Sequence, residues 1–343
     1  MPKGGLKLFA CRSGRRFGEM VAGELTANGC LTEGLSKYIF NGFECGENKQ
    51  HGLEKSVREA DVFVIQDCTL NGEIGTSVDD NTMELLRFIN GLRESCAGKI
   101  TAVIPMLPYS RQDKIWERGE PYTAKLFAQL LESAGANQVV TMDLHSDQIR
   151  GFYNIPMEPL HASYVLLDRL KQDFIGRLED VVFCSTDAGA AALVGHYAKR
   201  VNGRVAFGNK VKHYGVGGKE VERVDIIGDV QGKIVIIGDD MIDTAGSIVK
   251  TAEGAIRGGA TEVYAFCAHA VLSNPARERL LSAKEGGILR RIYLTDSVTH
   301  PDGFFPEQLV SGGFYKVVSV APLFARVIQK LHKGEGVSEV YLD

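Results

Sequence analysis

At 343 residues, with 44% apolar side chains, the chain exceeds the usual size of one domain and can fill two cores. A formal net charge of -4 excludes a general attraction to nucleic acid or to anionic membrane surfaces. The longest apolar runs, such as 62–65 and 234–237, fall far below the roughly 20 residues needed to cross a bilayer, so no membrane span is expected. Residues 1–9 lack the apolar core of a signal peptide. The seven cysteines are scattered without a C-x-x-C pair, which suits free thiols in a reducing compartment. Cys184 and Cys267 stand in apolar runs and are expected as small core residues. A cytoplasmic location is therefore expected.

In chain order, the pattern predicts a strand at 6–10, a helix at 18–28, a strand at 37–40, an acidic loop, and a strongly apolar strand at 61–66. A loop rich in Gly, Ser, Thr and Asp fills 67–81, and apolar spacing of three and four from Thr82 predicts a helix. A strand at 100–104, a loop at 105–121, a helix at 124–134 and a strand at 138–142 complete the first half. In the second half a strand at 181–184 leads through Ser185-Thr186-Asp187-Ala188-Gly189 to a helix ending near Lys199, with a short strand at 204–207 and a polar segment at 209–224. An apolar run from Lys233 to Gly238 precedes a helix marked by Ile248, Val249, Ala252 and Ile256. Strands at 262–268 and 291–294 and a helix at 322–333 follow. Strands alternating with helices mean an α/β fold with a largely parallel sheet. The pieces 61–107 and 232–272 share one grammar of strand, polar loop, helix and strand, which suggests a duplicated unit.

Ligands of open α/β sheets collect beyond the carboxyl ends of the strands, where the chemically loaded stretches of this chain lie. The run 233–248 ends in Asp239, Asp240 and Asp243 and then Thr244-Ala245-Gly246-Ser247. Backbone N–H groups and hydroxyls at the start of a helix favour a phosphate. The three acids either face the hydroxyls of a ribose as paired acceptors or hold a metal through water. Asp143, His145 and Asp147 follow another strand and form a set able to hold a divalent ion with waters. The loop Pro108-Tyr109-Ser110-Arg111-Gln112-Asp113-Lys114 continues to Trp116 and Arg118; it reads either as a clamp on a polyphosphate or as a solvated basic loop. Lys210 and Lys212 would share one face if that segment is extended. The chain carries no Walker motif and no G-x-G-x-x-G after a strand, so a nucleotide must be held by other means.

Together, the motifs at 108–114, 143–152, 185–189 and 238–247 resemble, in order, those of the ribose-phosphate diphosphokinases, the 5-phosphoribosyl 1-diphosphate (PRPP) synthetases. The segment 331–338 is similar to that family's C-terminal signature. The resemblance implies two phosphoribosyltransferase-like domains, each a mainly parallel sheet flanked by helices, with boundaries expected at 1–160 plus 318–343 and at 161–317. It implies ATP and ribose 5-phosphate as substrates, Mg²⁺ as cofactor, and self-association of dimers into a hexamer. It further implies that Asp239, Asp240 and Asp243 meet the ribose hydroxyls, and that Thr244, Ala245, Gly246 and Ser247 hold the 5-phosphate. His145 would ligate the metal on ATP, with Asp187 near a second metal and the ribose. Arg111 and Gln112 would contact ATP, Arg111, Lys210 and Lys212 would be the catalytic cations, and Phe43 and Glu47 would meet the adenine from a neighbouring subunit.

The chain departs from the family pattern in five places, one of them Ser247 where threonine is usual. It has Lys212 where an arginine is usual, Cys45 in the adenine segment, and Ala190-Ala191 where glycines are common. Its 67–81 loop is about six residues longer, judged by placing Asp80 at a helix start. Two alternatives stay open on the sequence alone: a catalytically silent homologue that co-assembles with an active synthetase, and a PRPP-using phosphoribosyltransferase.

Overall fold

The computed structural model describes residues 4–45, 47–214 and 220–341. Contacts divide the chain into two units, Met1–His161 with Ser297–Pro301 and Val320–Asp343, and Ala162–Asp296 with Asp302–Ser319.

The first unit begins with β1 (Leu6–Ala10) and α1 (Arg15–Ala27), followed by a separate hairpin of β2 (Tyr38–Gly42) and β3 (Asn48–Leu53). The chain then forms β4 (Asp61–Ile65), α2 (Val78–Glu94), β5 (Lys99–Ile104), α3 (Thr123–Ala134), β6 (Gln138–Met142) and β7 (Met157–Leu160). The sheet order is β1-β4-β5-β6-β7 with every neighbouring pair parallel. All five residues of β4 are buried, so it is a continuous apolar run rather than an alternating one, as a parallel strand covered on both faces requires. Phe9, Val62 and Val64 share a core with Phe88 and Leu92 of α2 and Phe127 and Leu131 of α3. Phe17 of α1 meets Phe324 of the C-terminal helix edge-on, with ring centroids 5.3 Å apart.

The second unit runs α4 (Ser163–Asp173), β8 (Val181–Ser185), α5 (Ala191–Arg200), β9 (Arg204–Tyr214), β10 (Glu220–Ile227) and β11 (Ile234–Ile242). It continues with α6 (Gly246–Arg257), β12 (Glu262–Ala270), α7 (Ala276–Glu285), β13 (Arg291–Thr295), α8 (Glu307–Ser311) and β14 (Tyr315–Val318). The closing helix α9 (Ala321–Lys333) belongs to the first unit. The seven strands stand in the order β10-β9-β8-β11-β12-β13-β14, and only β9 and β10 pair antiparallel. The run β8-β11-β12-β13-β14 repeats the order β1-β4-β5-β6-β7, and in each unit a helix and a hairpin separate the first core strand from the second. The duplication expected from 61–107 and 232–272 is thus present in the strand order. The two hairpins differ: β2 and β3 stay outside their sheet, whereas β9 pairs with β8 and carries β10 to the edge.

The elements β7, α4, α8 and β14 have no counterpart in the sequence expectation, and four further differences have a physical reason. Within the polar segment 209–224, β9 and β10 pair antiparallel, with Lys210 opposite Val224 and Lys212 opposite Glu222; backbone pairing holds them, and the polar sequence gives no apolar period. β3 lies inside the expected acidic loop for the same reason. α2 starts at Val78 rather than at Thr82, because Ser77 Oγ accepts from Asp80 N at 3.1 Å and Ser77 N donates to Asp80 Oδ2 at 2.9 Å, a capping box over a polar first turn. α7 has only Ala276, Leu280 and Ala283 buried, too narrow an apolar stripe to stand out. The seven cysteines are free, and Cys184 and Cys267 are buried in the core. Among the described residues no helix is long and apolar enough to cross a membrane.

The long 67–81 loop has its own framework. Asn71 and Thr76 exchange backbone bonds at 2.9 and 3.1 Å, and Asn81 Nδ2 donates to Thr69 O at 2.6 Å. Asp67 Oδ1 accepts from Thr69 N at 2.9 Å, and Oδ2 from Thr299 N at 2.7 Å, which docks Ser297–Pro301 onto the first unit. Burial raises the Asp67 carboxyl pKa, and these donors oppose that rise.

Close packing reaches the last β11 residue that pairs with β8. A Cβ on Gly238 would lie 2.3 Å from Phe266 Cζ and 2.9 Å from Val194 Cγ1. Gly238→Ala is expected to lower stability by about 1–3 kcal/mol through overpacking, seen as a lower midpoint in urea unfolding; an unchanged midpoint would contradict so tight an approach.

Candidate active site

In the second unit the carboxyl ends of β8 and β11, which pair in parallel through Ser185 and Gly238, carry the acidic cluster. Thr186 Oγ1 donates to Asp239 Oδ2 at 2.7 Å, and Asp240 N donates to Asp239 Oδ1 at 3.0 Å. Asp187 Oδ1 accepts from Gly189 N at 2.9 Å and Ala190 N at 3.3 Å, turning the chain into α5. Its other oxygen faces Lys210 Nζ at 3.3 Å. That pair is 40% and 46% exposed, the regime in which ion pairs hold weakly.

Beyond Asp243, the turn 244–247 enters α6 with Ala245 at φ 61°, a left-handed conformation rare outside glycine. Alanine has no side-chain acceptor, and Ala245 makes no cap bond to α6. The start of α6 thus has no cap bond from its own N-cap residue, and its opening N–H groups suit an anion. Arg279 Nη1, from α7, donates to Thr244 O at 3.0 Å and braces this turn.

The first unit presents a different set at its strand ends. Arg111 and Gln112 are exposed on the loop after β5. Gln112 N donates to Tyr109 O at 2.8 Å and Ala124 N to Gln112 O at 3.3 Å, so the loop is tied at its root. Trp116 is 76% exposed, with Lys114 Nζ 5.5 Å from its ring centroid. His145 is exposed after β6, beyond Asp143, whose Oδ1 lies 3.2 Å from His161 Nδ1. Phe43 and Glu47 stand at the tip of the β2–β3 hairpin, where Phe43 N donates to Glu47 O at 2.7 Å and the Phe43 ring is 52% exposed.

Of the residues singled out in the sequence, Asp187, Lys210, Asp239, Asp240, Asp243 and the turn 244–247 share one unit, while Phe43, Glu47, Arg111, Gln112 and His145 share the other. The Lys212 backbone lies in β9, but its side chain is outside the described residues. Thr186 and Arg279 carried no assigned role in the sequence. Thr186 sat unremarked inside a quoted motif, and Arg279 lies far downstream on the helix that gave little signal.

Comparison with known proteins then decides the family. A family model for the N-terminal domain of ribose phosphate pyrophosphokinase matches residues 6–135, and one for the phosphoribosyl synthetase-associated domain matches 197–342. The ribose-phosphate pyrophosphokinase of Caldanaerobacter subterraneus subsp. tengcongensis is 40% identical over 289 residues, covering 84% of this chain and 85% of that one. That of Helicobacter hepaticus is 38% identical over 342 residues, covering 98% and 99%. The chain belongs to the ribose-phosphate pyrophosphokinase family. The crystal structure of phosphoribosylpyrophosphate synthetase from Mycobacterium smegmatis superposes with a TM-score of 0.82 at 32% identity, over 96% of this chain and 99% of that one. The two sheets of this pyrophosphokinase are accordingly the phosphoribosyltransferase-like folds expected from the motifs.

The acids of this pyrophosphokinase act on one another. Burial, then the charge of Asp240, push the Asp239 carboxyl up to about 7, and the Thr186 hydroxyl opposes them by donating to the ionised form. Removing the neighbouring charge must lower it. In Asp240→Asn, carbon-detected NMR of Asp239 should show a titration midpoint below that of the parent protein, and an unmoved or raised midpoint would refute the charge coupling.

Proposed function

We propose that this chain transfers the β,γ-diphosphoryl group of ATP to the 1-hydroxyl of ribose 5-phosphate, giving PRPP and AMP. The observation that carries the reading is the last part of β11 and the turn after it: a carboxylate group built on Asp239 and Asp240, then a helix start whose N-cap is an alanine, which together match a sugar bearing a terminal phosphate. Family membership selects the reaction.

In this reading Asp239, Asp240 and Asp243 accept hydrogen bonds from ribose hydroxyls, and the N–H groups and hydroxyls of Thr244 to Ser247 receive the 5-phosphate. Arg111 and Gln112 hold ATP from the loop after β5. Phe43 and Glu47, exposed on their hairpin, meet the adenine ring from a neighbouring subunit, in dimers that assemble into a hexamer. The ribose 1-oxygen attacks the β-phosphorus, the bond from that phosphorus to the α,β-bridging oxygen breaks, and AMP departs with the electron pair. Such a transfer depends on alignment and charge neutralisation more than on a covalent partner. Lys210 leaves its exposed pair with Asp187 for the transferring group, joined there by Lys212 and Arg111.

Among the described residues no three His, Cys, Asp or Glu side chains gather into a group able to hold a metal. Mg²⁺ carried on nucleotide phosphates keeps several waters and takes only one or two protein ligands; His145 would ligate the ion on ATP, with Asp187 near a second ion and the ribose. When bound, the ion offsets phosphate charge. A cytoplasmic enzyme with free thiols agrees with this chemistry.

The defining measurement is AMP release from ATP that depends on ribose 5-phosphate. No such release with any nucleoside triphosphate would sink the proposal. Lys210→Ala should lower kcat by about 10²-fold, as loss of a group acting on developing charge does, while the KM for ribose 5-phosphate stays near the parent value. Equal loss in both would deny Lys210 a role in the transfer itself.

A further inference from the structure

Thr186 stands between the last residue of β8 and Asp187, and it is 1% exposed. Ser185 beside it is buried too, yet its Oγ has no hydrogen-bond partner, whereas Thr186 Oγ1 reaches Asp239 Oδ2 at 2.7 Å. Of two adjacent buried hydroxyls, only one is directed at the acid cluster. Asp239 receives a second bond on its other oxygen, from Asp240 N at 3.0 Å.

An ionised carboxylate offers about four acceptor positions, two on each oxygen. The two protein donors take one position on each oxygen and so fix the plane of the group. The Asp240 side chain also approaches this carboxylate, and the acceptor positions that stay open on the fixed plane suit neighbouring hydroxyls of a furanose. Without the Thr186 bond the carboxylate is held at a single oxygen and can turn about its terminal torsion, which is intrinsically broad.

We propose that Thr186 is a positioning residue: with the Asp240 N–H, its hydroxyl clamps the Asp239 carboxylate in the orientation that takes both vicinal hydroxyls of the sugar phosphate. This rests on the sugar-phosphate reading of the β11 end given above. Thr186 need not touch the substrate, and its effect passes through Asp239. The consequence is selective, because it concerns the sugar and not the nucleotide, and within the sugar it concerns the hydroxyl pair.

The test uses the full chain and the variants Thr186→Val, which keeps the shape and removes the donor, and Thr186→Ser, which keeps the donor. Binding of ribose 5-phosphate and of 2-deoxyribose 5-phosphate is measured by calorimetry, and KM values for both substrates by AMP release. Thr186→Val should weaken ribose 5-phosphate about tenfold in Kd and KM, the order expected when a bond to a charged acceptor is lost. The KM for ATP should stay at the parent value, and Thr186→Ser should restore ribose 5-phosphate binding. The preference for ribose 5-phosphate over its 2-deoxy analogue should narrow in Thr186→Val, since the analogue already lacks one of the paired hydroxyls. A change in packing alone would leave that preference intact. Should Thr186→Val not fold, Thr186→Ala provides the same comparison. Unchanged ribose 5-phosphate affinity in the valine variant, an equal loss for ATP, an unaltered sugar preference, or failure of serine to rescue would each overturn the assignment. A parent protein that binds no ribose 5-phosphate would overturn the sugar-phosphate reading itself, an outcome distinct from a parent that binds and a valine variant that binds equally.

Discussion

A carboxylate at the end of a strand buried on both faces is the constraint around which the second unit is arranged. Residues 234–238 of β11 are buried, and Asp239 follows with no break in the strand. The pairing with β8 ends one residue earlier, and a charged group at the edge of a low-dielectric interior costs several kcal/mol unless donors or a ligand compensate. Two donors are supplied locally, Thr186 from the adjacent strand end and Asp240 N from the chain itself. They compensate only in part, as the upward displacement of the Asp239 carboxyl shows. The rest of the compensation is what a polyhydroxylated ligand would provide. The parallel topology makes this possible, because it places the carboxyl ends of β8, β11 and β12 side by side.

The duplicated strand order shows how one scaffold takes two chemistries. The sheet of each unit has the same sequence of core strands, so the same ends are available for loops. The first unit fills them with cations and an aromatic, Arg111, Lys114 and Trp116, and leaves its hairpin outside the sheet. The second fills them with acids and pairs its hairpin onto β8. That pairing brings Lys210 to Asp187; a hairpin detached from the sheet would give Lys210 no fixed approach to the strand ends.

Sequence was informative for most of the strongly apolar core elements, although α4 and β7 gave no clear signal. β1 and β6 were placed at their observed bounds, and β4, β5, α3 and α9 within a residue, because a strand or helix facing a core must show its period. It was uninformative where backbone pairing or side-chain capping does the holding. The β9–β10 hairpin alternates polar groups on an edge, the first turn of α2 is held by Ser77 and Asp80, and α7 buries too few residues to mark a stripe. The site divides the same way. Carboxylates crowded at a strand end are costly enough to announce a ligand, so Asp239, Asp240 and Asp243 could be singled out. Thr186 and Arg279 act through other protein groups, and the bonds they make join residues separated by 53 and 35 positions. No local pattern encodes a partner at that distance, and only the folded sheet brings the pair together. Likewise the return of Ser297–Pro301 to the first unit depends on Thr299 N meeting a buried Asp67, a contact across 232 positions.

The resting place of Lys210 follows from the same balance of burial and exposure. Its backbone is fixed opposite Val224 in an antiparallel ladder, while its ammonium sits in a half-exposed pair with Asp187. Water already solvates both partners, so such a pair contributes at most about 1 kcal/mol. The other Asp187 oxygen is occupied by two backbone donors, and the carboxylate keeps its place when the lysine departs. A cation bound this loosely on a firmly held strand can swing toward a more highly charged phosphate group without moving the backbone that supports it. A buried pair in the same position would hold the lysine by several kcal/mol, because separating it leaves an unpaired charge in the interior. Exposure at this point is therefore a requirement of the proposed transfer.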